Sequence, residues 1–435
     1  MLLQFRIKNY RSIHEEVVLN LLASTDKELA QTHLIPTGLK ALPQAVRTAV
    51  VYGPNASGKS NVLLALAFMR GVVAESATTM QLGQTFNVQP FRLDATAIQQ
   101  PTEFEVTFVH DGVRHQYGFS LTPERVVSEW LLVYRAAKPQ QWFSRKFDEK
   151  TQSFTYEFGS HLTGPRKIWQ ESTRPNALFL ATAAQLNSEL LGPVFTWIVE
   201  NLMFVGAGAA PNPDYTTALL QDATGRQAVR DFMASADTGI SDIEAVSRKG
   251  LHQQVVFTSG APAQVSREER ELLMPQFLHE TDHGTARFEL HDESLGTQRL
   301  YALAAPVLDV LVKGRVLVVD ELDGSLHTLL VRRLVGMFHN PVRNPLGAQL
   351  IFSTHDTSLL DQDLFRRDQI WFTEKSREQS TLLYPLTEFS PRKKEALERG
   401  YLAGRYGAVP FFSEPVAEPS ATKVSGPQAL RGVLT

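Results

Sequence analysis

Residues 53–60 read Gly-Pro-Asn-Ala-Ser-Gly-Lys-Ser, which is a complete G-x-x-x-x-G-K-S phosphate loop. The residues on either side supply the setting that this motif requires. A short β-branched and apolar run, Thr48-Ala-Val-Val-Tyr52, predicts a buried strand before the loop. The apolar spacing of residues 61–70 predicts a helix after it. Strand, glycine-rich loop and helix in this order predict a site for nucleotide phosphates.

The chemistry of the loop residues indicates how such a site would work. Gly53 and Gly58 allow the backbone to wrap around phosphate groups with its N–H groups pointing inward. A helix that begins at Lys59 adds a favourable dipole for anions. Lys59 is expected to neutralise the β- and γ-phosphates of ATP, and the Ser60 hydroxyl to bind Mg²⁺. The predicted nucleotide contacts in this segment are Gly53, Pro54, Asn55, Ala56, Ser57, Gly58, Lys59, Ser60 and Asn61.

Composition narrows the class of protein. The 435 residues carry 43 Lys and Arg against 46 Asp and Glu, a net charge of −3, so no global positive field attracts nucleic acid. The absence of cysteine excludes disulfides and cysteine chemistry and is typical of a reducing cytoplasm. Neither a secretory signal nor an apolar run of about 20 residues is found, so we expect a cytoplasmic protein without a membrane span.

The second half of the chain contains a strand that ends in two carboxylates. Residues 315–321 read Arg-Val-Leu-Val-Val-Asp-Glu, and such continuous apolar strands lie in sheets covered on both faces. Ligands bind at the carboxyl ends of strands in open α/β sheets. Asp320 is therefore the predicted Mg²⁺ carboxylate, and Glu321 the predicted base that polarises the attacking water.

Two further segments are candidates for contacts with the γ-phosphate. Residues 349–355 form another apolar strand that ends at His355, whose imidazole can donate to phosphate. Ser294 and Gly296 precede an amphipathic helix in which Leu300, Leu303, Val307 and Leu311 share one side. The serine hydroxyl and free N–H groups at the start of that helix could hold an anion, although a plain helix cap would explain the same residues.

The remaining segments predict an α/β protein with one antiparallel lobe. Alternating residues on both sides of Asp111-Gly112 predict a hairpin. No heptad pattern persists over three heptads, so a long coiled-coil arm is not expected. The predicted divisions are opening strands at 4–8 and 16–21, an antiparallel β lobe at 86–160 with strands at 103–109, 114–120, 126–134 and 152–157, a helical region at 174–250, a hairpin at 251–290 with strands at 253–257 and 286–290, the second half of the core at 292–412, and a flexible tail at 413–435.

The order of these pieces resembles the ABC-type ATPase head, in the branch that includes the OLD, RecF and SMC proteins. The opening segment Arg6-Ile-Lys-Asn-Tyr-Arg-Ser-Ile13 is similar to the first strand of that branch. Residues 294–299 resemble its divergent signature motif, and residues 322–327 occupy the position of its D-loop. The resemblance implies a single head over residues 1–412 with a mixed or parallel core sheet, an antiparallel β lobe and an inserted helical region.

The resemblance also implies further site residues and an assembly. Arg11 becomes a candidate nucleotide contact, and a glutamine is expected as an additional Mg²⁺ ligand. Gln84 and Gln89 both lie in the right region, and Gln89, before Pro90-Phe91, is preferred. In such heads the signature of one subunit closes on the nucleotide of another, so a homodimer or a higher homo-oligomer that sandwiches ATP is expected.

Residues 366–375 and 401–410 resemble more local hallmarks of compact anti-phage ATPases, namely RloA-like abortive-infection proteins and the AriA subunit of the PARIS system. This similarity implies slow, regulatory ATP hydrolysis and a separate nuclease effector, often of Toprim type, with a phage-encoded protein as candidate trigger. The alternative is a RecF- or SMC-like ATPase of DNA repair or chromosome maintenance, with DNA as partner.

Two clusters of charged residues in the second half of the chain are further candidates for function. Asp361-Gln-Asp363 has the D-x-D spelling of a metal site, but it is expected to be a solvated turn. Residues 392–394, Arg399 and Arg405 make the C-terminal region locally basic. They could contact DNA phosphates or an acidic partner, and a solvated helix face is the simpler interpretation.

Overall fold

The computed structural model describes residues 1–206, 212–256, 264–393 and 395–410. The strands of this part of the chain are β1 (Leu2–Lys8), β2 (Val17–Asn20), β3 (Leu34–Pro36), β4 (Gln44–Val46), β5 (Thr48–Tyr52), β6 (Thr102–His110), β7 (Val113–Leu121), β8 (Val126–Tyr134), β9 (Gln140–Asp148), β10 (Ser153–Phe158), β11 (Leu202–Val205), β12 (Ile240–Val256), β13 (Gln264–Thr281), β14 (Gly284–Glu289), β15 (Val316–Val319), β16 (Gln349–Ser353), β17 (Ile370–Lys375) and β18 (Thr381–Pro385). The helices are α1 (Ala30–His33), α2 (Lys59–Glu75), α3 (Arg166–Ser172), α4 (Phe179–Gln185), α5 (Leu191–Asn201), α6 (Asp214–Leu219), α7 (Ala223–Ala234), α8 (Leu295–Lys313), α9 (Thr328–His339) and α10 (Leu397–Leu402).

The apolar strands that carry the sequence motifs lie side by side in one six-stranded sheet. Its order is β11-β15-β16-β5-β17-β18. Every neighbouring pair is parallel except β17 and β18, which form an antiparallel hairpin. The α/β class and the mixed, mostly parallel core predicted from the sequence are therefore confirmed.

Alternate residues of this sheet enter two different hydrophobic cores. Val51, Val318 and Ile351 pack into a core shared with α2 and the antiparallel strands, whereas neighbours such as Val50 and Leu317 pack with α8 and α9. A sheet covered on both faces leaves no strand position for solvent, which explains the unbroken apolar runs in the sequence. The α8 residues Leu300, Leu303, Val307 and Leu311 are all buried, as their spacing predicts.

A second sheet is antiparallel and has seven strands in the order β10-β9-β8-β7-β6-β1-β2. The predicted hairpin turn lies between β6 and β7, where Asp111 and Gly112 both adopt positive φ angles of 49° and 72°. The predicted lobe at 86–160 is thus part of a larger sheet, because β6 pairs directly with β1. The first strand of the predicted lobe begins at Thr102, and the lobe contains one strand, β9, that the sequence analysis did not predict.

The region between α5 and α8 differs most from the sequence prediction. Residues 174–250 are not helical throughout: β11 joins the parallel sheet, and β12 already begins at Ile240. The hairpin predicted within 251–290 is instead a three-stranded sheet, in which β12 and β13 are 17 and 18 residues long and β14 pairs with β13. The tail predicted at 413–435 lies outside the described residues. None of the helices described here combines the length and apolar character needed to cross a bilayer.

Candidate nucleotide-binding site

Three neighbouring strands bring the sequence motifs together at one edge of the parallel sheet. The phosphate loop follows β5, His355 follows the adjacent β16, and Asp320 and Glu321 follow β15 on the far side of β16. Because the three strands are parallel, their carboxyl ends face the same edge. The fold thus brings the phosphate loop, near the start of the chain, next to three candidate residues from its second half.

The two glycines of the phosphate loop are required by their surroundings. Gly58 has a φ of 110°, and a Cβ there would lie 2.1 Å from Oγ1 of Thr381. At Gly53, φ is 153° and a Cβ would lie 2.4 Å from the carbonyl oxygen of Thr373. The loop backbone therefore passes so close to β17 and β18 that a side chain at either position would collide with them.

A network of hydrogen-bonded hydroxyl groups connects this loop to the neighbouring strands and to the turn after β1. Oγ1 of Thr381 donates to the Ser57 carbonyl over 2.8 Å and lies 2.8 Å from Oγ of Ser12. The Ser57 hydroxyl is hydrogen-bonded to Thr373 Oγ1 at 2.6 Å, and Asn61 Nδ2 donates to Ser12 Oγ. The loop is thereby connected to the C-terminal hairpin β17–β18 and to the turn after β1, neither of which the motif itself would identify.

Lys59 lies at the start of α2, where phosphate groups would be bound. Its ammonium group donates to the carbonyls of Gly53 and Pro54 over 2.8 and 3.1 Å, so the Lys59 side chain folds back onto the loop. Burial lowers the pKa of Lys59, and the carboxylates of Glu321 and Asp320 oppose that shift. Helix α2 has Gly58 at its cap position and no side-chain cap, so its first N–H groups are left for an anion.

Ser353 joins the two predicted catalytic carboxylates. Its hydroxyl donates to Oδ1 of Asp320 over 2.6 Å and accepts a hydrogen bond from the backbone N–H of Glu321 over 2.7 Å. Ser353 is fully buried at the end of β16. Ser353 therefore holds the Asp320 carboxylate and the backbone of Glu321 at the turn that follows β15.

The candidate base and the candidate phosphate sensor lie next to each other. Nε2 of His355 is 3.9 Å from Oε1 of Glu321, and both side chains are partly exposed toward the open edge of the sheet. Glu321 has a φ of 51°, an uncommon conformation for a non-glycine residue that turns the chain out of the sheet. The backbone N–H of His355 donates to Asp323, which ties the segment after β15 to the segment after β16.

The helix that resembles a signature motif is attached to this carboxylate turn within the same chain. The guanidinium of Arg299 donates to the carbonyls of Asp320 and Glu321. Burial lowers the pKa of Arg299, an effect that the carboxylates of Asp323 and Glu321 oppose. A Cβ at Gly296 would lie 2.8 Å from the carbonyl oxygen of Ser325, so the first turn of α8 packs directly on the D-loop position.

Ser294 caps this helix. Its Oγ accepts from the N–H of Thr297 over 3.1 Å and lies 2.9 Å from the Thr297 hydroxyl. This geometry is that of an ordinary N-cap.

The two candidate glutamines lie in different places. Gln89 lines a cleft together with Arg11, Ser12 and Asn61, and its carbonyl accepts from the N–H of Arg11 over 2.7 Å. Gln84 is exposed and lines a separate cleft beside the second half of α2. The structure thus brings Gln89 and Arg11 to the start of α2, which is where a Mg²⁺ ligand and a phosphate contact are needed.

A cleft of about 1070 Å³ opens beside the phosphate loop. One wall contains Gly53, Pro54 and Asn55 with His355, and the opposite wall is built from residues 401–410. Tyr401 donates to the Ala408 carbonyl over 2.7 Å, and the carboxylate of Glu374 accepts from the Ala408 N–H. The segment that resembles a defence-ATPase hallmark is therefore a folded wall of the candidate site.

The other hallmark, residues 366–375, forms strand β17 of the parallel sheet and the short turn that precedes it. Arg366 is buried, donates to Asp368 over 2.7 Å, and also donates to the carbonyl of Asp26. Its neighbour Gln369 is buried and donates to Thr48 at the start of β5. These contacts fix the position of the strand that leads into the phosphate loop.

The remaining charged clusters have local structural roles. Asp361 forms an ion pair with Arg332 at 2.7 Å and accepts from the N–H of Asp363, as expected for a turn. Across the described part of the chain no group of three or more histidine or acidic side chains is arranged to hold a metal ion. Lys393 pairs with Glu28, and Arg405 pairs with Glu395. Two of the basic residues considered for DNA contacts are thus neutralised within the chain, and Lys394 lies outside the described residues.

The residues present fit a magnesium-bound nucleotide. The loop supplies a cradle that a Cβ would fill, an uncapped helix start and a lysine, all suited to phosphate. Ser60, Asp320 and Gln89 offer the oxygen ligands that Mg²⁺ prefers. The sequence did not reveal Ser353 or Thr381 as parts of this site, because each acts through a contact between distant segments. Arg299 lies in the signature-like segment, but its contact with the carboxylate turn could not be predicted from the sequence.

Two solved structures and one protein family are similar to this chain. Among solved structures, the crystal structure of the SmcHead bound to the C-winged helix domain of ScpA has a TM-score of 0.43 and 13% identity, and covers 88% of this chain and 97% of its own. The SMC head domain from Thermotoga maritima has a TM-score of 0.38 and 14% identity, with coverages of 88% and 98%. No curated protein matches the chain significantly. A protein-family model matches residues 49–361, more than half of the sequence, and the protein therefore belongs to the family described as "AAA domain, putative AbiEii toxin, Type IV TA system".

Proposed function

We propose that this protein is an ATP-binding and ATP-hydrolysing regulatory subunit of an anti-phage defence system. Two copies would sandwich ATP between them and control a separate nuclease effector, with a Toprim-type nuclease as the expected class. The proposal rests above all on one observation: the phosphate loop, Asp320, Glu321 and His355 converge at the ends of three adjacent parallel strands. The family description, which names a toxin of a toxin–antitoxin system, supports a role in a two-component defence pair.

The proposed chemistry assigns one task to each side chain. Lys59 and the first N–H groups of α2 bind the phosphates, and Ser60, Asp320 and Gln89 hold Mg²⁺, which would offset charge on the transferred phosphoryl group. Glu321 accepts a proton from the attacking water as general base. His355, 3.9 Å from Glu321, donates to the γ-phosphate and orients it toward that water.

Dimerisation follows from what one copy lacks. In the described residues, Ser294 caps α8 and its hydroxyl forms no hydrogen bond to the phosphate loop of its own chain. The start of α8 could therefore contribute to catalysis by meeting the nucleotide of a second copy. Through Arg299, that same helix contacts the carbonyls of Asp320 and Glu321 in its own chain. Engagement of one site would thus be communicated to the carboxylates of the other.

The nuclease is proposed to be a separate protein because the acidic pair with the residue pattern of a metal site has a structural role in this chain. Asp361 and Asp363, the acidic pair with a metal-site spelling, form a turn held by Arg332. The alternative, a DNA-repair ATPase, would need a continuous basic surface, whereas Lys393 and Arg405 are paired with carboxylates.

A pair of matched variants tests the sandwich. Glu321→Gln removes the base and should trap ATP, so that this variant dimerises with ATP and is monomeric without it, as measured by light scattering. Adding Ser294→Asp keeps the helix cap but places a negative charge against the γ-phosphate, and should abolish the dimer. Ser294→Asn, an equally good cap without the charge, should preserve it. Dimerisation of the Asp variant equal to that of the Asn variant would refute the proposed contact.

The partner is tested separately by copurification. The tagged protein should retain the product of an adjacent gene, and that product should have nuclease activity which depends on Glu321 in this chain. A neighbouring gene that encodes a recombination or replication factor, with no associated nuclease, would favour the DNA-repair alternative. The control is Glu15→Gln, which alters an exposed carboxylate outside the candidate site.

A further inference from the structure

A separate cavity of about 370 Å³ lies at the opposite end of the molecule from the phosphate loop. It is enclosed by the β3–β4 loop on one side and by the turns after β6 and β8 on the other. The β3–β4 loop leads into the amino end of β5, whereas the phosphate loop begins at its carboxyl end. The amino end of β1 contacts Gln349, the first residue of β16, which places these turns at the same far end.

The lining of this cavity combines three cations with apolar walls. Lys40, Arg114 and Arg135 line it together with Leu39, Leu42 and Tyr134, and no carboxylate is among the lining residues. In the part of the chain that the structure describes, none of the three cations forms an ion pair with a carboxylate. Asp111, the acidic residue nearest to Arg114 along the chain, is exposed and pairs with His110. Three unneutralised cations around one cavity create a local positive potential in a protein whose net charge is −3.

Arg114 is held in place although its charge is unpaired. Arg114 and Tyr134 are directly opposite each other on β7 and β8, and the guanidinium lies 3.7 Å from the centroid of the Tyr134 ring. Tyr134 is fixed in turn by a hydrogen bond of 2.8 Å to Gln116. Nε of Arg114 is buried without a hydrogen-bond partner in the described residues. A stacked, pre-oriented guanidinium recognises planar anions and phosphates at little entropic cost.

We propose that this cavity binds a small phosphorylated ligand of the nucleotide class, independently of the phosphate loop. Its volume falls in the range of small-molecule sites, which are largely apolar with a few charged groups that fix orientation. The phosphate would be bound by Arg114, Arg135 and Lys40, and the apolar loop around Leu39 and Leu42 would cover the base. The site lies away from the catalytic edge, so such a ligand would act as an effector of the protein.

The test uses the full chain and a fluorescent N-methylanthraniloyl derivative of AMP as probe. The double variant Lys40→Gln/Arg135→Gln changes exposed loop residues and leaves the Arg114–Tyr134 stack intact. It should weaken probe binding by at least about tenfold, because charge-assisted contacts to phosphate are lost. Lys138→Gln, an exposed residue just outside the lining, and Lys59→Ala, in the phosphate loop, should both bind within about twofold of the wild type.

Competition identifies the ligand class. Unlabelled AMP should displace the probe, and adenosine, which has no phosphate, should not. Loss of probe binding in Lys59→Ala with retention in the double variant would assign the probe to the phosphate loop and overturn the proposal. Absence of measurable binding would overturn it too. A single-stranded 12-nucleotide DNA that competes better than AMP, through the same two residues, would make the site a nucleic-acid contact and contradict the proposed ligand.

Discussion

Replacing Ser353 by alanine should selectively impair magnesium binding and hydrolysis. The buried hydroxyl donates to the Asp320 carboxylate over 2.6 Å and accepts from the Glu321 N–H over 2.7 Å. A hydrogen bond to a charged group contributes about 1.5–3 kcal/mol. Because Asp320 is half-buried, water replaces part of this bond, and we take the lower end. In Ser353→Ala the freed Asp320 carboxylate must be ordered when Mg²⁺ binds, and a cost of about 1.5 kcal/mol corresponds to a roughly tenfold weaker affinity for Mg²⁺.

The assay is steady-state ATP hydrolysis as a function of magnesium concentration. Ser353→Ala should raise the half-saturating magnesium concentration about tenfold. It should also lower kcat, because the Glu321 turn loses the partner of its backbone N–H. Binding of ATP without magnesium should stay near the wild-type value, because Lys59 and the loop are unchanged. Ser120→Ala is the matched control: it removes a buried strand hydroxyl that is hydrogen-bonded to Ser128 at 2.6 Å and has no contact with the site.

The refuting result is a specific one. If Ser353→Ala showed a magnesium requirement and kcat within twofold of those of Ser120→Ala, the serine would not organise the carboxylates. Thermal unfolding of both variants separates this from a loss of folding. Ser353→Ala leaves the partly buried backbone N–H of Glu321 without this partner and should cost about 1 kcal/mol of stability. That cost should be visible as a lower Tm even at saturating magnesium.

Three further predictions concern the loop and the two cores. Gly58→Ala should abolish ATP binding in a filter assay, since its Cβ would lie 2.1 Å from Thr381 Oγ1; near-normal affinity would contradict the close packing. Glu129→Gln should cost about 3–5 kcal/mol in chemical denaturation, because it leaves the buried guanidinium of Arg145, 3.5 Å away, unpaired; adding Arg145→Met should restore part of this loss. Burial lowers the pKa of His339 well below its usual value, so its stabilising effect is present above about pH 6.5 and is lost as pH falls, by up to roughly 1.4 kcal/mol per pH unit. A His339→Gln variant should show a shallower acid-side slope of unfolding free energy than the wild type, and an unchanged slope would contradict the assignment.

Short-range patterns in the sequence predicted the local structure around the candidate nucleotide site well. The predicted strand at 48–52 coincides with β5, and helix α2 begins at Lys59, as the motif requires. Asp320 and His355 lie just beyond β15 and β16. These features depend on local spacing and on continuous apolar runs, which a chain shows residue by residue. The roles assigned to the site residues remain predictions, because they depend on a bound nucleotide.

Long-range pairing accounts for what the sequence did not reveal. Strand β9 contains Arg145 at a fully buried position, and an arginine there interrupts the apolar alternation. It is tolerated because Glu129 on β8 lies opposite and because the carbonyl of Ala177 accepts from its guanidinium. Strand β11 is too short to be distinguished locally, and it is identified by its parallel pairing with β15. Neither partner can be read from the segment itself.

The hydroxyl contacts beneath the phosphate loop explain why the C-terminal hairpin belongs to the site. A glycine loop with strained φ angles keeps its shape only where its surroundings determine it. Here Thr381 binds the Ser57 carbonyl from β18, and its N–H donates to the carbonyl of Ser12 in the turn after β1. The loop is thus fixed jointly by the parallel sheet and by the antiparallel sheet. A movement of the antiparallel sheet would reach the phosphate loop through Ser12 and Thr381, and nucleotide binding would in turn restrict that movement. A partner that contacts either sheet therefore has a physical route by which to control ATP binding.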